Sequence, residues 1–168
     1  MAQLTAQRIL GGIYGLFSGL DATDELMLKN LMTRKKARVY LSDLATAGTA
    51  QTETGFFVND TGVSLRVVSA KLVVPIAVTA NASNNMTCTL TKRDAAGVNP
   101  AVVATATSDV AGGSLVAFLP KVLTNTVANV VVADGWVLTA LVSKAGTGVA
   151  IAAATSQAYL EVLLEPIT

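Results

Sequence analysis

The side chains in this sequence that could do chemistry are scattered carboxylates, one thiol and a short basic run, because histidine is absent. Without an imidazole there is no ordinary general base near neutral pH and no Ser-His or Cys-His nucleophile pair, and the commonest metal ligand is missing. Asp60, Asp94, Asp109, Asp134, Glu161 and Glu165 are spread over the second part of the chain. A glycosidase needs two carboxyl groups about 5 to 10 Å apart in a cleft lined with aromatic rings, and the chain holds only four Phe, three Tyr and one Trp. Asp94 and Asp109 have neither the spacing nor the oxygen-rich loop of a calcium site. Cys88 is the single cysteine, so an intrachain disulfide and a paired-cysteine zinc site are excluded. In Thr87-Cys88-Thr89-Leu90 it alternates with polar residues and reads as a small core hydrophobe. A reactive thiol would want a nearby cation, and Lys92 shares the strand face of Cys88 only by parity. Gly112-Gly113 and Gly146-Thr147-Gly148 read as turns, since neither is followed by a helix and Lys-Ser/Thr. The expectation is a chain that is no enzyme, with no cofactor, metal or small-molecule substrate.

The remaining candidate is the basic run Arg34, Lys35, Lys36 and Arg38, with Tyr40 beside it. One reading is the solvated C-terminal turn of a helix, where the dipole favours cations. The other is contact with an acidic partner surface or packaged nucleic acid. A net charge of +1 provides no global field toward nucleic acid or an acidic membrane, so neither is an expected partner. No stretch approaches the roughly 20 apolar residues that span a bilayer. Ile9 to Leu20 has the length of a signal-peptide core, but Asp21, Asp24 and Glu25 follow it instead of a small-residue cleavage site. A cleaved signal is not expected.

The composition that must position these residues changes near residue 50. We read residues 1–50 as an N-terminal arm with one helix over about 24–38, and 51–168 as a β-sandwich domain. Thr23 suits the helix N-cap, Asp24 and Glu25 fall in its first turn, and the basic run ends it. Leu28, Leu31 and Met32 supply an apolar face. Ahead of it, Ile9, Ile13, Leu16, Phe17 and Leu20 fit a helical stripe with Tyr14 beside it, interrupted by Gly11, Gly12, Gly15 and Gly19. Each glycine costs about 1 kcal/mol in a helix interior, so this stripe needs a partner surface, on the same subunit or a neighbour, to hold its shape. These six residues are the candidate assembly contacts.

From Phe56 the hydrophobic period switches to two. Leu65 and Val67 alternate with Ser64 and Arg66, and an extended stretch runs from Lys71 to Val78 through Pro75. Met86, Cys88 and Leu90 alternate with threonines. Strands are expected at 101–107, at 115–119 where Pro120 stops the run, at 128–132, at 136–143 and at 157–164. Asp134-Gly135 reads as a hairpin turn. Trp136, on an alternating strand, reads as core. Short strands with turn signals every 8 to 12 residues and no helical pattern between them point to an antiparallel β-sandwich or jelly roll.

Residues 70–168 carry a T-x-T-L-x-K-R-D stretch, then V-V-A-x-A-T, then D-G-W-V-L-T-A-L followed by S-K-A-G-T-G. This order resembles the jelly-roll decoration (cement) and head-auxiliary proteins of tailed bacteriophages, with Trp136 at a position where that pattern usually has a polar residue. The resemblance implies a module on the capsid exterior, often a homotrimer, bracing neighbouring major capsid subunits. It brings no catalytic residues.

Composition bears on the same point. Apolar residues make up 52% of the chain and charged residues 14%, against about 25% charged in an average soluble domain. Either other proteins cover part of the surface, or the surface is built of small uncharged residues. The expected function is a virion structural protein cementing a capsid. The alternatives are a receptor- or glycan-binding module of a fibre and a tail or connector protein.

Overall fold

In the computed structural model the residues described are 34–41, 52–147, 149–151 and 156–167. They form ten strands and one 3-10 turn. The strands are β1 (Lys35–Leu41), β2 (Thr54–Val58), β3 (Leu65–Val73), β4 (Met86–Arg93), β5 (Ala101–Thr107), β6 (Lys121–Val122), β7 (Thr124–Asn125), β8 (Val131–Val132), β9 (Val137–Lys144) and β10 (Ala158–Pro166). All pairings are antiparallel. Sheet A runs β1-β10-β3-β6, with β8 also pairing β3, and sheet B runs β2-β9-β4-β5-β7.

The alternation read from sequence builds the core. Leu65, Val67 and Leu72 of β3 and Leu160, Val162 and Leu164 of β10 are buried from sheet A; Met86, Cys88 and Leu90 of β4 and Leu138, Ala140 and Val142 of β9 are buried from sheet B. They belong to one hydrophobic cluster. Each fully buried Leu or Met contributes about 1.5 to 3 kcal/mol, and this shared cluster holds the sheets together. Cys88 is completely buried, and burial pushes its thiol up to about 12. Trp136 packs half-buried against the cluster.

Four sequence expectations change, the first at 128–132, where Val127–Asn129 form the 3-10 turn and strand pairing covers Val131–Val132 alone. The basic run does not end a helix within the described residues: Lys35, Lys36 and Arg38 lie in β1, which pairs with β10 along its whole length. The β unit therefore starts at Lys35, not near residue 51. Ala37, Val39 and Leu41 are buried and alternate with exposed Lys36, Arg38 and Tyr40. That period of two outweighs the helix-terminus signal, because a matching edge of β10 exists to receive it. Residues 24–33 of the expected helix, and the stripe Ile9, Ile13, Tyr14, Leu16, Phe17 and Leu20, lie outside the described residues.

Residues 115–119 are not a strand. Leu115 makes an isolated bridge with Val78, and the chain then turns, with the N–H of Leu119 donating to Val116 O at 3.2 Å and Phe118 at φ +59°. Strand pairing resumes after Pro120 in β6 and β7, too short for a periodic signal. Asp134-Gly135 is a turn, yet its arms enter different sheets: β8 pairs β3 and β9 pairs β2 and β4. Of the two central residues only Gly135 has positive φ, +76°, whereas a two-residue hairpin needs it at both positions in type I′ or at the first in type II′, and types I and II splay the arms. Asn59 fills the gap between the arms. Its N–H donates to Trp136 O at 2.9 Å, its Nδ2 donates to Val132 O at 2.9 Å, and its carbonyl accepts from Gly135 N at 2.6 Å.

Candidate protein-interaction surface

Because strand residues alternate, the outward residues of β1, β10, β3 and β6 share one face of sheet A. The pairing register aligns Arg38 with Glu161, Glu161 with Lys71, and Lys71 with Val122, so one row crosses all four strands. At about 4.8 Å per strand it spans about 14 Å. Arg38 donates from Nη2 to Glu161 Oε2 at 2.8 Å, and Lys36 Nζ lies 3.8 Å from Glu161 Oε1. The Arg38 hydrogen bond holds the Glu161 carboxyl below the ordinary glutamate range, and Lys36 and Lys71 add to the effect against partial burial. Three cations thus surround one carboxylate.

The next row pairs Tyr40 with Tyr159. Their rings meet edge to face with centroids 6.2 Å apart, and the Arg38 guanidinium sits 4.3 Å above the Tyr159 ring. Tyr40 is 61% exposed. Ion pairing and stacking fix Arg38 in place, so this face presents a rigid guanidinium, two lysines and an open tyrosine ring. Val122, at the far end of the row, is also exposed, as are Val68 of β3 and Val131 of β8.

The opposite side of the molecule has another chemistry. On sheet B the register runs Leu141–Thr89–Thr105–Thr124 across four strands, with Ser143–Thr87–Thr107 alongside. Among the described residues these rows are uncharged, and charge enters at the margin of the face, where Arg93 pairs bidentately with Glu53 and Thr139 also donates to Glu53.

A third surface lies at one end of sheet B. Val58, Val137 and Arg93 are side by side in the register, so the loops after β2 and β4 and before β9 emerge together, carrying Asp60, Asp94 and Asp134. The N–H of Gly62 donates to Asp134 Oδ1 at 2.7 Å. Asp94 closes its own turn, accepting from Val98 N at 2.9 Å and Asn99 Nδ2 at 2.7 Å. The nearby cations are committed: Arg93 to Glu53 and Gly97 O, and Lys92 to Val131 O at 2.8 Å with Trp136 5.1 Å away. Burial lowers the Lys92 pKa. The end is acidic.

Of the predicted contact residues, the structure brings Lys36 and Arg38 onto the sheet A face. Arg34 and Lys35 are exposed at its margin, where β1 begins. Sequence reasoning missed Lys71, Tyr159 and Glu161, which reach the basic run only through strand pairing. Among the described residues, no three cysteine or carboxylate side chains are grouped as a metal site, and no helix is long and apolar enough to cross a membrane.

No family model and no curated protein matches the chain. Among solved structures, the chain is similar to the Eiger TNF of S. frugiperda at 11% identity, covering 81% of this chain and 96% of that one with a TM-score of 0.35. It is also similar to a chain of the infectious bursal disease virus Gx strain at 13% identity, covering 80% of this chain and 37% of that one with a TM-score of 0.31.

Proposed function

We propose that this protein is a non-catalytic virion component, a jelly-roll-like module that decorates and cements a phage capsid from its exterior. It acts as a homotrimer, and its other partner is the major capsid protein. The observation that carries this reading is the outer face of sheet A. It sets an open tyrosine and a fixed arginine, two of the residue types that dominate protein–protein contact centres, beside exposed valines that add apolar area. The sequence resemblance to phage decoration proteins supports the same reading. Among the described residues the strongly exposed rings are Tyr40 on that face and Phe118 in the turn before β6, while Trp136 packs against the core, so a platform of two or three open Trp or Tyr rings for a glycan is not favoured.

The test is immunogold labelling of intact particles of the source phage with antibody to the chain. Label distributed over the shell is expected. Label confined to tails or fibre tips would overturn the reading in favour of a tail or receptor-binding protein.

A further inference from the structure

We propose that the outer face of sheet A in one copy docks onto the acidic loop end of the next copy, head to tail, so that the chain closes into a ring of its own. This rests on the homo-oligomeric part of the function proposed above and names the surfaces that make it.

Charge is the first argument. Among the described residues of the sheet A face, Lys36, Arg38 and Lys71 surround the single carboxylate Glu161, and Arg66 pairs with Glu165. Asp60, Asp94 and Asp134 gather where Arg93 is already neutralised by Glu53 and Lys92 is buried against Val131. Each surface carries an excess the other can neutralise, and complementary potentials of this kind fix partner and register.

Symmetry is the second. The two surfaces are different patches of one molecule, the face of four paired strands and a set of loops. A two-fold contact centred on either patch would place it against itself, lysine against lysine, and a two-fold joining the unlike patches would have to make both contacts at once. A contact between unlike patches is heterologous, and heterologous contacts generate rings when the rotation closes. Trimers need that kind of contact.

Preorganisation and composition complete the case. Glu161 and Tyr159 already hold Arg38 in one geometry, which lowers the ordering cost of docking. Tyr40 and Val122 give the face an apolar component, so more than ion pairs is buried. A nucleic acid is the poorer occupant: Glu161, in the middle of the row, opposes phosphate, and no continuous track of cations crosses the face.

The experiment is light scattering and sedimentation of the full chain and three variants. K36E/K71E reverses the face. D60K/D134N reverses the loop end while keeping an acceptor for the Gly62 N–H. The third variant combines all four changes. V110E/A111E, which adds two negative charges in the exposed loop after β5, at the other end of sheet B from the loop end, is the control, and circular dichroism verifies folding. The expected result is that either reversal alone weakens self-association by at least about tenfold, that the combined variant recovers it, and that the control does not change it. Reversals without effect on a wild-type oligomer overturn this interface and leave the assembly function standing. The same holds if the combined variant fails to recover while folded. A wild-type monomer removes the assembly function itself. Tight binding of duplex DNA that is lost in K36E/K71E, with self-association unaltered, reassigns the face to nucleic acid and also overturns the proposal.

Discussion

At the scale of single residues, buried polar groups decide how the β unit is joined. Asn59 is fully buried, and its side chain donates to Val63 O at 2.8 Å and Val132 O at 2.9 Å while accepting from Thr61 Oγ1 at 2.7 Å. Asn59→Ala takes the side-chain donor from the buried Val132 carbonyl and two further hydrogen bonds from the Val63 carbonyl and the Thr61 hydroxyl, which still bond each other at 3.1 Å, and should cost about 1 to 3 kcal/mol, measured as a shift in the urea midpoint. A loss under about 0.5 kcal/mol would show that the loops close without it. Glu53 makes a pH-dependent contribution. The Arg93 hydrogen bonds hold its carboxyl below the ordinary glutamate range, with Thr139 adding to them and partial burial opposing. A carboxyl whose folded pKa lies below its unfolded one stabilises the fold above about pH 4.3, and that contribution is lost as pH falls through the folded pKa. Glu53→Gln binds no such proton. The stability gap between wild type and this variant should be constant between about pH 7 and pH 5 and shrink toward about pH 3. Urea titrations along that range check it; a gap unchanged at the acid end would contradict the assignment.

At the scale of elements, β1 makes a sharp prediction because one sequence could serve two periods. Val39 points into the core and is 7% exposed, while Tyr40 faces outward. Val39→Asp should cost about 3 kcal/mol or more by burying an unpaired carboxylate. Tyr40→Ser should cost less than about 1 kcal/mol, the value of an edge-to-face ring contact. Thermal denaturation separates the two, and equal costs would contradict the strand. The elements legible in the sequence are those with uninterrupted alternation, such as Met86-Cys88-Leu90 and Leu138-Ala140-Val142. There each residue's neighbours in sequence already state which side is buried. What was not legible depended on partners distant in sequence. The run Arg34 to Arg38 reads equally as a helix end until β10 is placed beside it, since Arg38 and Glu161 are 123 positions apart. Lys71 joins the same cluster through one more pairing. The Asp134-Gly135 turn was legible, but not the destination of its arms, because Asn59 comes from another loop to separate them.

At the scale of the whole molecule, the low charge content divides unevenly. The outer face of sheet B is a threonine array, so part of the uncharged surface is the small polar kind that needs no cover. The charged side chains concentrate on the sheet A face and the loop end, and there they are arranged, not scattered. Low charge alone therefore does not argue for assembly; the segregation of what charge there is does. The chain's net +1 hides a basic face and an acidic end that cancel in the sum. The account is tested most directly by the solution mass of the purified full chain, measured by light scattering over a range of concentrations. It predicts a stable species at three times the 17.2 kDa chain mass. A single 17.2 kDa species at every concentration would contradict it.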